Sequence, residues 1–352
     1  MGITKLSDLI RGDAPASISH KEIGDYSGKI IALDTSIIVN QFRSAVPNLK
    51  LSLLGVFYRT LTFLEHDIKP VFVFDGDPPE QKRAVLERRA QSAGWSSTQR
   101  PHTALLQIRP SVSSKTKEFL RLLQLLGVPC VQAPGDAEAC CAQLVRSGVV
   151  DAVASEDMDT LAFGGTLLLR QLNAKRQSEV MEFSLPKILQ ILQLTQEEFV
   201  DLCILLGCDY CDKIVGLGPS RALKLIQQHR TIENILLHIN RKTHPVPVCW
   251  QYQAARRLFL EPPRSDPPCL QWCEPNEQEL VNFLCQEKHL SEEKVRGRMK
   301  KFHKNLIYRR KEREEKNKGG IQTRLDKFFR VTRKRQSVET GGSTVMKSLK
   351  TE

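Results

Sequence analysis

The sequence predicts an α/β fold built on a parallel β-sheet, and three observations carry that expectation. Short continuous apolar runs recur, as in strands covered on both faces. Amphipathic helical patterns lie between them. Acids stand at the ends of the runs, where such sheets open their sites.

Lys29-Ile30-Ile31-Ala32-Leu33-Asp34 is the first run, and Pro70-Val71-Phe72-Val73-Phe74-Asp75-Gly76 repeats its pattern. Val149 to Ser155 reads as a third strand and Leu167-Leu168-Leu169-Arg170 as a fourth. Helical spacing runs from Leu53 to Leu64, Lys115 to Leu126 and Ala137 to Ser147. Gly94 to Ser114 is rich in Ser, Pro, Gly and Gln and reads as a loop. Ser184 to His238 reads as helical, interrupted at Gly216-Leu217-Gly218-Pro219. His244 to Asp266 holds many prolines around an Arg-rich helical stretch. Apolar periodicity fades after about Asn305, which predicts a disordered basic tail.

The chain has 352 residues and 41% hydrophobic content, enough for a sizeable core in one large domain or two smaller ones. Its formal charge is +12. Lys294 to Arg335 holds 18 basic and 4 acidic residues, net +14, so the rest of the chain is slightly acidic. A basic surface around an acidic pocket suits a polyanionic partner reached through metal. Ten cysteines fit no secreted framework. Cys140-Cys141 are adjacent, and Cys208-x-x-Cys211 lacks a second pair at zinc spacing, so buried reduced thiols are expected. There is no signal-peptide pattern, and the apolar runs are too short to span a bilayer. An intracellular, soluble protein in a reducing compartment is expected.

Seven carboxylates fall in five clusters: Asp34, Asp75, Asp136 with Glu138, Asp157 with Asp159, and Asp209. Any one of them alone reads as a solvated loop acid or a helix cap. Jointly, at the ends of parallel strands, they read as a metal site. In an extended Asp157-Met158-Asp159, both carboxylates project to one side. Asp136 and Glu138 would diverge by roughly 200° inside a helix. They converge only if Asp136 stands at a helix entry, which Pro134-Gly135 supports. Oxygen ligands suit Mg²⁺ or Mn²⁺. Two such ions about 4 Å apart can activate a water and stabilise the leaving oxygen of a phosphodiester.

Three further patterns each carry a functional and a plain reading. Gly216-Leu217-Gly218-Pro219, followed by Arg221, presents helix N-terminal N–H groups to a phosphate, or simply joins two helices. Lys82 and Arg89 share one helical face and would reach a phosphate held near Asp75, or form a solvated face with Arg83 and Arg88. In Gln322-Thr323-Arg324-Leu325-Asp326-Lys327-Phe328-Phe329, Leu325 and Phe328 stand one turn apart. They suit a motif that orders in an apolar groove, or a terminal helix that folds back.

These residues resemble the flap endonuclease 1 family of structure-specific 5′ nucleases, nearly end to end. The motifs are Ile31-Ala32-Leu33-Asp34, Val73-Phe74-Asp75-Gly76, Ala133 to Ala139, Glu156-Asp157-Met158-Asp159 and Leu205 to Tyr210. The resemblance implies a PIN-like 5′ nuclease core with a parallel sheet, a helical arch, and a C-terminal helix-hairpin-helix-type module. The implied divisions are 1–93, a shortened arch at 94–114, 115–238 with the hairpin module at 205–230, a helical extension at 239–304, and a tail at 305–352. It implies that all seven acids hold two Mg²⁺ ions, with Mn²⁺ able to substitute. It implies that Lys82 and Arg89 steer the scissile phosphate. Arg59, Asp136, Gly207 and Asp209 fall on positions associated with DNA contact. Gly216 and Gly218 fall in the duplex-binding turn, which takes K⁺. Gln322, Leu325, Phe328 and Phe329, within 321–329, match the peptide that binds the sliding clamp, proliferating cell nuclear antigen. Flapped or branched DNA as substrate, a monomer, and a nuclear or additionally mitochondrial location are expected on the same ground.

The chain departs from the family pattern at several points. Asp136 stands where the family has Glu, and Asn40 where it has an aromatic. Phe42 to Leu53 and Ala93 to Lys115 are shortened, with Pro47 in place of a basic residue. The expected activity is therefore 5′-flap endonuclease and 5′→3′ exonuclease. A related nuclease preferring gap, bubble or blunt DNA is the alternative, as is a catalytically weak, clamp-tethered DNA-binding paralogue.

Overall fold

The computed structural model describes residues 2–35, 49–92, 114–172, 179–263, 266 and 268–319. One seven-stranded sheet runs through it. In chain order its strands are β1 (Ile18–Glu22), β2 (Ile30–Asp34), β3 (Lys69–Phe74), β4 (Cys130–Gln132), β5 (Ala152–Ala154), β6 (Leu167–Arg170) and β7 (Glu179–Ser184). Their spatial order is β1-β7-β6-β5-β2-β3-β4. β4, β3, β2, β5 and β6 are mutually parallel, whereas β7 runs antiparallel to both of its neighbours, β6 and β1.

The four strands read from apolar runs are β2, β3, β5 and β6. Three more join them for reasons a run of hydrophobics does not signal. β1 reads Ile-Ser-His-Lys-Glu and is largely exposed, as an edge strand is. β4 is only three residues long. β7 is interrupted by Glu182 but buries Val180, Met181 and Phe183. The sheet is therefore mixed, with an antiparallel pair on one edge.

The helices in chain order are α1 (Leu6–Asp13), α2 (Leu49–Glu65), α3 (Glu80–Ser92), α4 (Ser114–Leu125), α5 (Ala137–Arg146), α6 (Asp159–Ala162), α7 (Leu185–Leu192), α8 (Gln196–Leu206), α9 (Pro219–His229), α10 (Ile232–His238), α11 (Tyr252–Leu260), α12 (Glu277–Val281) and α13 (Glu292–Gly319). Residues of α1, α5 and α8 join β2, β3 and β5 in one apolar cluster. α9 begins at the expected place, with Gly218 as N-cap and Pro219 at the first turn.

Met1–Phe302 forms one compact unit and His303–Glu352 a second. The boundary expected at Asn305 is not a helix end, because α13 continues to Gly319. Periodicity tracks a buried face, and this stretch has little of one: Ile307 and Tyr308 are exposed. Its Lys, Arg and Glu residues are nevertheless good helix formers. The arch segment 94–113, Asn40, Pro47 and the clamp motif at 321–329 lie outside the described residues. Among the described residues, no helix is long and apolar enough to cross a membrane.

Candidate metal centre

β2 lies between β3 and β5, and the chain winds outward from it in both directions. That reversal opens a crevice beyond the carboxyl ends of the strands. Asp34 is the last residue of β2, and Asp75 follows β3 directly. Asp157 stands just beyond β5, and Asp136 and Glu138 lie at the start of α5.

Asp136 is the N-cap of α5, with φ −70° and ψ 138°. That extended conformation turns its side chain toward Glu138 rather than away, as the sequence required. One oxygen each of Asp75, Asp136 and Glu138 lies within 4.8 Å of the others. Asp75 reaches this point because Gly76 lies against the Ala133–Gly135 turn. The Gly76 N–H donates to Gly135 O at 2.7 Å, and a Cβ on Gly76 would come within 2.1 Å of Ala133 O. Asp75 also accepts from the Ala137 N–H at 2.8 Å, at the positive end of α5.

The Asp157-Met158-Asp159 stretch is a turn rather than an extended segment. Asp159 opens α6, and the Asp157 carboxylate accepts its N–H at 3.1 Å. The two acids still converge, because the turn curls Asp159 back. Asp159 accepts the Ile3 N–H at 2.7 Å. Gly2, with φ +88°, leaves no room for a side chain: a Cβ would lie 1.8 Å from Asp157 Oδ1. Asp34 is fully buried and accepts from Ser155 at 3.2 Å.

The electrostatics tie the clusters together. Burial first, then Asp34, Asp75 and Asp136, hold the Glu138 carboxyl well above its usual range against the opposing pull of Lys82. Burial first, then Asp157, Glu138 and Asp209, do the same to Asp159. Glu138 and Asp159 thus stand amid the other five acids, and a bound cation would offset that concentration of negative charge. Glu138 Oε2 is buried and has no hydrogen-bond partner among the described residues. An all-oxygen donor set with an orphaned buried oxygen fits a hard divalent cation.

Lys82 faces this set from α3. Its Nζ donates to Asp136 Oδ1 at 2.7 Å. Burial opposes its charge, but Glu138, Asp136 and Asp75 outweigh that and raise its pKa. Arg89 lies two turns further along α3, and its side chain falls outside the described residues. Tyr210, whose role the sequence did not reveal, donates to the other Asp136 oxygen at 2.6 Å. Its position beside Asp209 was the only hint.

Arg59 is mostly buried, donates to Leu172 O at 2.5 Å, and is pushed down to about 10 by burial. Gly207 ends α8 with φ 108°, and its carbonyl accepts the Thr4 N–H at 3.1 Å. Gly216 has φ +78° in the turn before α9. Cys208 and Cys211 are buried thiols, not joined in a disulfide, with sulfurs 3.8 Å apart.

Comparison with known proteins follows the same lines. The XPG N-terminal domain model matches residues 1–94 and the XPG I-region model residues 127–209. A zebrafish (Danio rerio) protein described as a probable flap endonuclease 1 homolog is 67% identical, covering 96% of this chain and 95% of its own length. Human flap endonuclease 1 is 40% identical, covering 99% of this chain and 97% of its own. Among solved structures, the catalytic core of Rad2 in complex with DNA substrate superposes with TM-score 0.72 at 23% identity, covering 86% of this chain and all of that one. Flap endonuclease-1 from Methanococcus jannaschii gives 0.65 at 23%, covering 86% and 99%.

Proposed function

Because the chain belongs to the flap endonuclease 1 family of XPG-type nucleases, we propose that it is a metal-dependent 5′-flap endonuclease and 5′→3′ exonuclease of DNA replication and repair. The observation that carries this reading is the orphaned Glu138 oxygen among clustered carboxylates, faced by Lys82. Asp34, Asp75, Asp136, Glu138, Asp157, Asp159 and Asp209 would hold two Mg²⁺ ions, with Mn²⁺ as a substitute. Bound there, the ions supply Lewis acidity and a hydroxide at neutral pH.

The chain's own groups do the rest. Lys82 is held at the edge of the acidic set by Asp136, so an arriving scissile phosphate meets a cation already in place. Arg89, on the same helix, adds a second positive group. The turn at Gly216 and Gly218 presents the N-terminus of α9 to the duplex backbone, with K⁺ as the ion of that turn. Arg59, Asp136, Gly207 and Asp209 complete the proposed DNA contacts. Gln322, Leu325, Phe328 and Phe329 would dock on the sliding clamp, and the enzyme would work as a monomer in the nucleus.

The test is Asp157→Ala on a labelled 5′-flap duplex. Cleavage should be abolished while part of the DNA binding survives. Full cleavage by this variant would sink the proposal. The shortened stretches Phe42–Leu53 and Ala93–Lys115 favour a second reading, a preference for gapped, bubble or blunt DNA. A panel of such substrates decides it, and a double flap cut best by a wide margin rejects it.

A further inference from the structure

The segment between α10 and α11 folds back beneath the glycine turn. Trp250 Nε1 donates to Asp212 O at 2.5 Å. His244 inserts its ring under Gly216, where an added Cβ would meet His244 Nδ1 at 3.3 Å. His244 is only 7% exposed, a buried polar side chain well outside the acidic set. Arg221, in the first turn of α9, is exposed.

The ring makes two polar contacts. Its Nε2 lies 2.7 Å from Arg221 Nη1, and its Nδ1 lies 3.4 Å from Val215 O. A guanidinium has donors and no acceptor, so Nε2 must accept. The proton of the neutral ring then sits on Nδ1 and faces the Val215 carbonyl, over a long contact. One side chain thus ties the carbonyl that opens the turn to the arginine that follows it. Held at one nitrogen, Arg221 keeps its other donors for a phosphate and has less rotamer freedom to lose on meeting one.

We infer that His244 is a positioning residue for duplex binding, holding Arg221 and the Val215–Gly218 turn in the shape that receives a backbone phosphate. The inference rests on reading the chain as a nuclease that grips duplex DNA at this turn. A chain that fails to bind flap duplex at all would remove both.

The experiment compares His244→Gln with His244→Asn. The Gln amide oxygen reaches the place of Nε2 and can accept from Arg221, whereas the Asn amide reaches only the place of Nδ1. The readout is affinity for a fluorescein-labelled 5′-flap duplex, with Ca²⁺ in place of Mg²⁺, followed by KM and kcat in Mg²⁺. His244→Asn should weaken binding about fivefold and raise KM without a matching fall in kcat. His244→Gln should stay within about twofold of wild type. In an Arg221→Ala background the two variants should be equal, because the arginine they differ toward is gone. Equal losses in the Arg221 background of the wild type, or a difference that persists in Arg221→Ala, would overturn the inference. His244→Phe, which keeps a ring under the turn and lacks an acceptor, replaces His244→Asn should the latter not fold.

Discussion

Tyr210 donates its hydroxyl to Asp136 Oδ2 at 2.6 Å, which leaves the other oxygen of that carboxylate to Lys82 at 2.7 Å. The shorter acid is therefore clamped from both sides. Tyr210→Phe removes one clamp without changing the ring that packs on Phe163 and Phe259. A hydrogen bond to a charged group is worth roughly 2 kcal/mol. Single-turnover cleavage should slow about thirtyfold, with flap-DNA affinity within about twofold of wild type. An unchanged rate would show that Asp136 needs no such support.

Gly2 leads to a steric prediction. Its Cβ position is occupied by the Asp157 carboxylate, and its φ is +88°. Gly2→Ala should displace Asp157 or the segment that leads into α1. Shifting a group that orients a ligand costs about 10- to 100-fold in metal affinity or activity. A Mg²⁺ titration of cleavage should show a raised requirement, and a wild-type titration curve would refute the packing.

The raised acids give a pH prediction. Burial and neighbouring acids hold Glu138 and Asp159 well above their usual range. Above about pH 4 the unfolded chain has released protons that the folded chain still keeps. The stability from those protons is full below that pH and is lost as pH rises through the raised values. With metal chelated, the wild type should therefore lose more melting temperature between about pH 5 and pH 8 than Glu138→Gln, whose amide does not titrate. Mg²⁺ should restore the wild type at the upper pH and do little at the lower, because the cation takes the place of the protons. Parallel melting profiles for the two proteins would refute the account.

The basic C-terminal segment gives a separable prediction. Phe328→Ala combined with Phe329→Ala should abolish detectable binding to a purified sliding clamp, as loss of aromatic anchors does. Cleavage of a flap in the clamp's absence should survive. Undiminished clamp affinity would assign these phenylalanines elsewhere.

The sequence by itself determined the α/β class, four of the seven described strands and the placement of Asp34 and Asp75 at the ends of β2 and β3. Each of these is a local signal: a buried strand shows as an apolar run, and a crevice acid follows it. Asp136 at a helix entry was legible too, because Pro134-Gly135 precedes it. What only the tertiary structure decided is which distant groups meet. Ile3 reaches Asp159, Tyr210 reaches Asp136, and His244 reaches Arg221 across long stretches of chain. The antiparallel β1–β7 edge belongs with them, since an exposed edge strand has no apolar run to betray it. Periodicity records which face of an element is buried. It carries no record of what lies opposite, and these contacts are set by how the sheet, the N-terminal chain and the turn before α9 pack together.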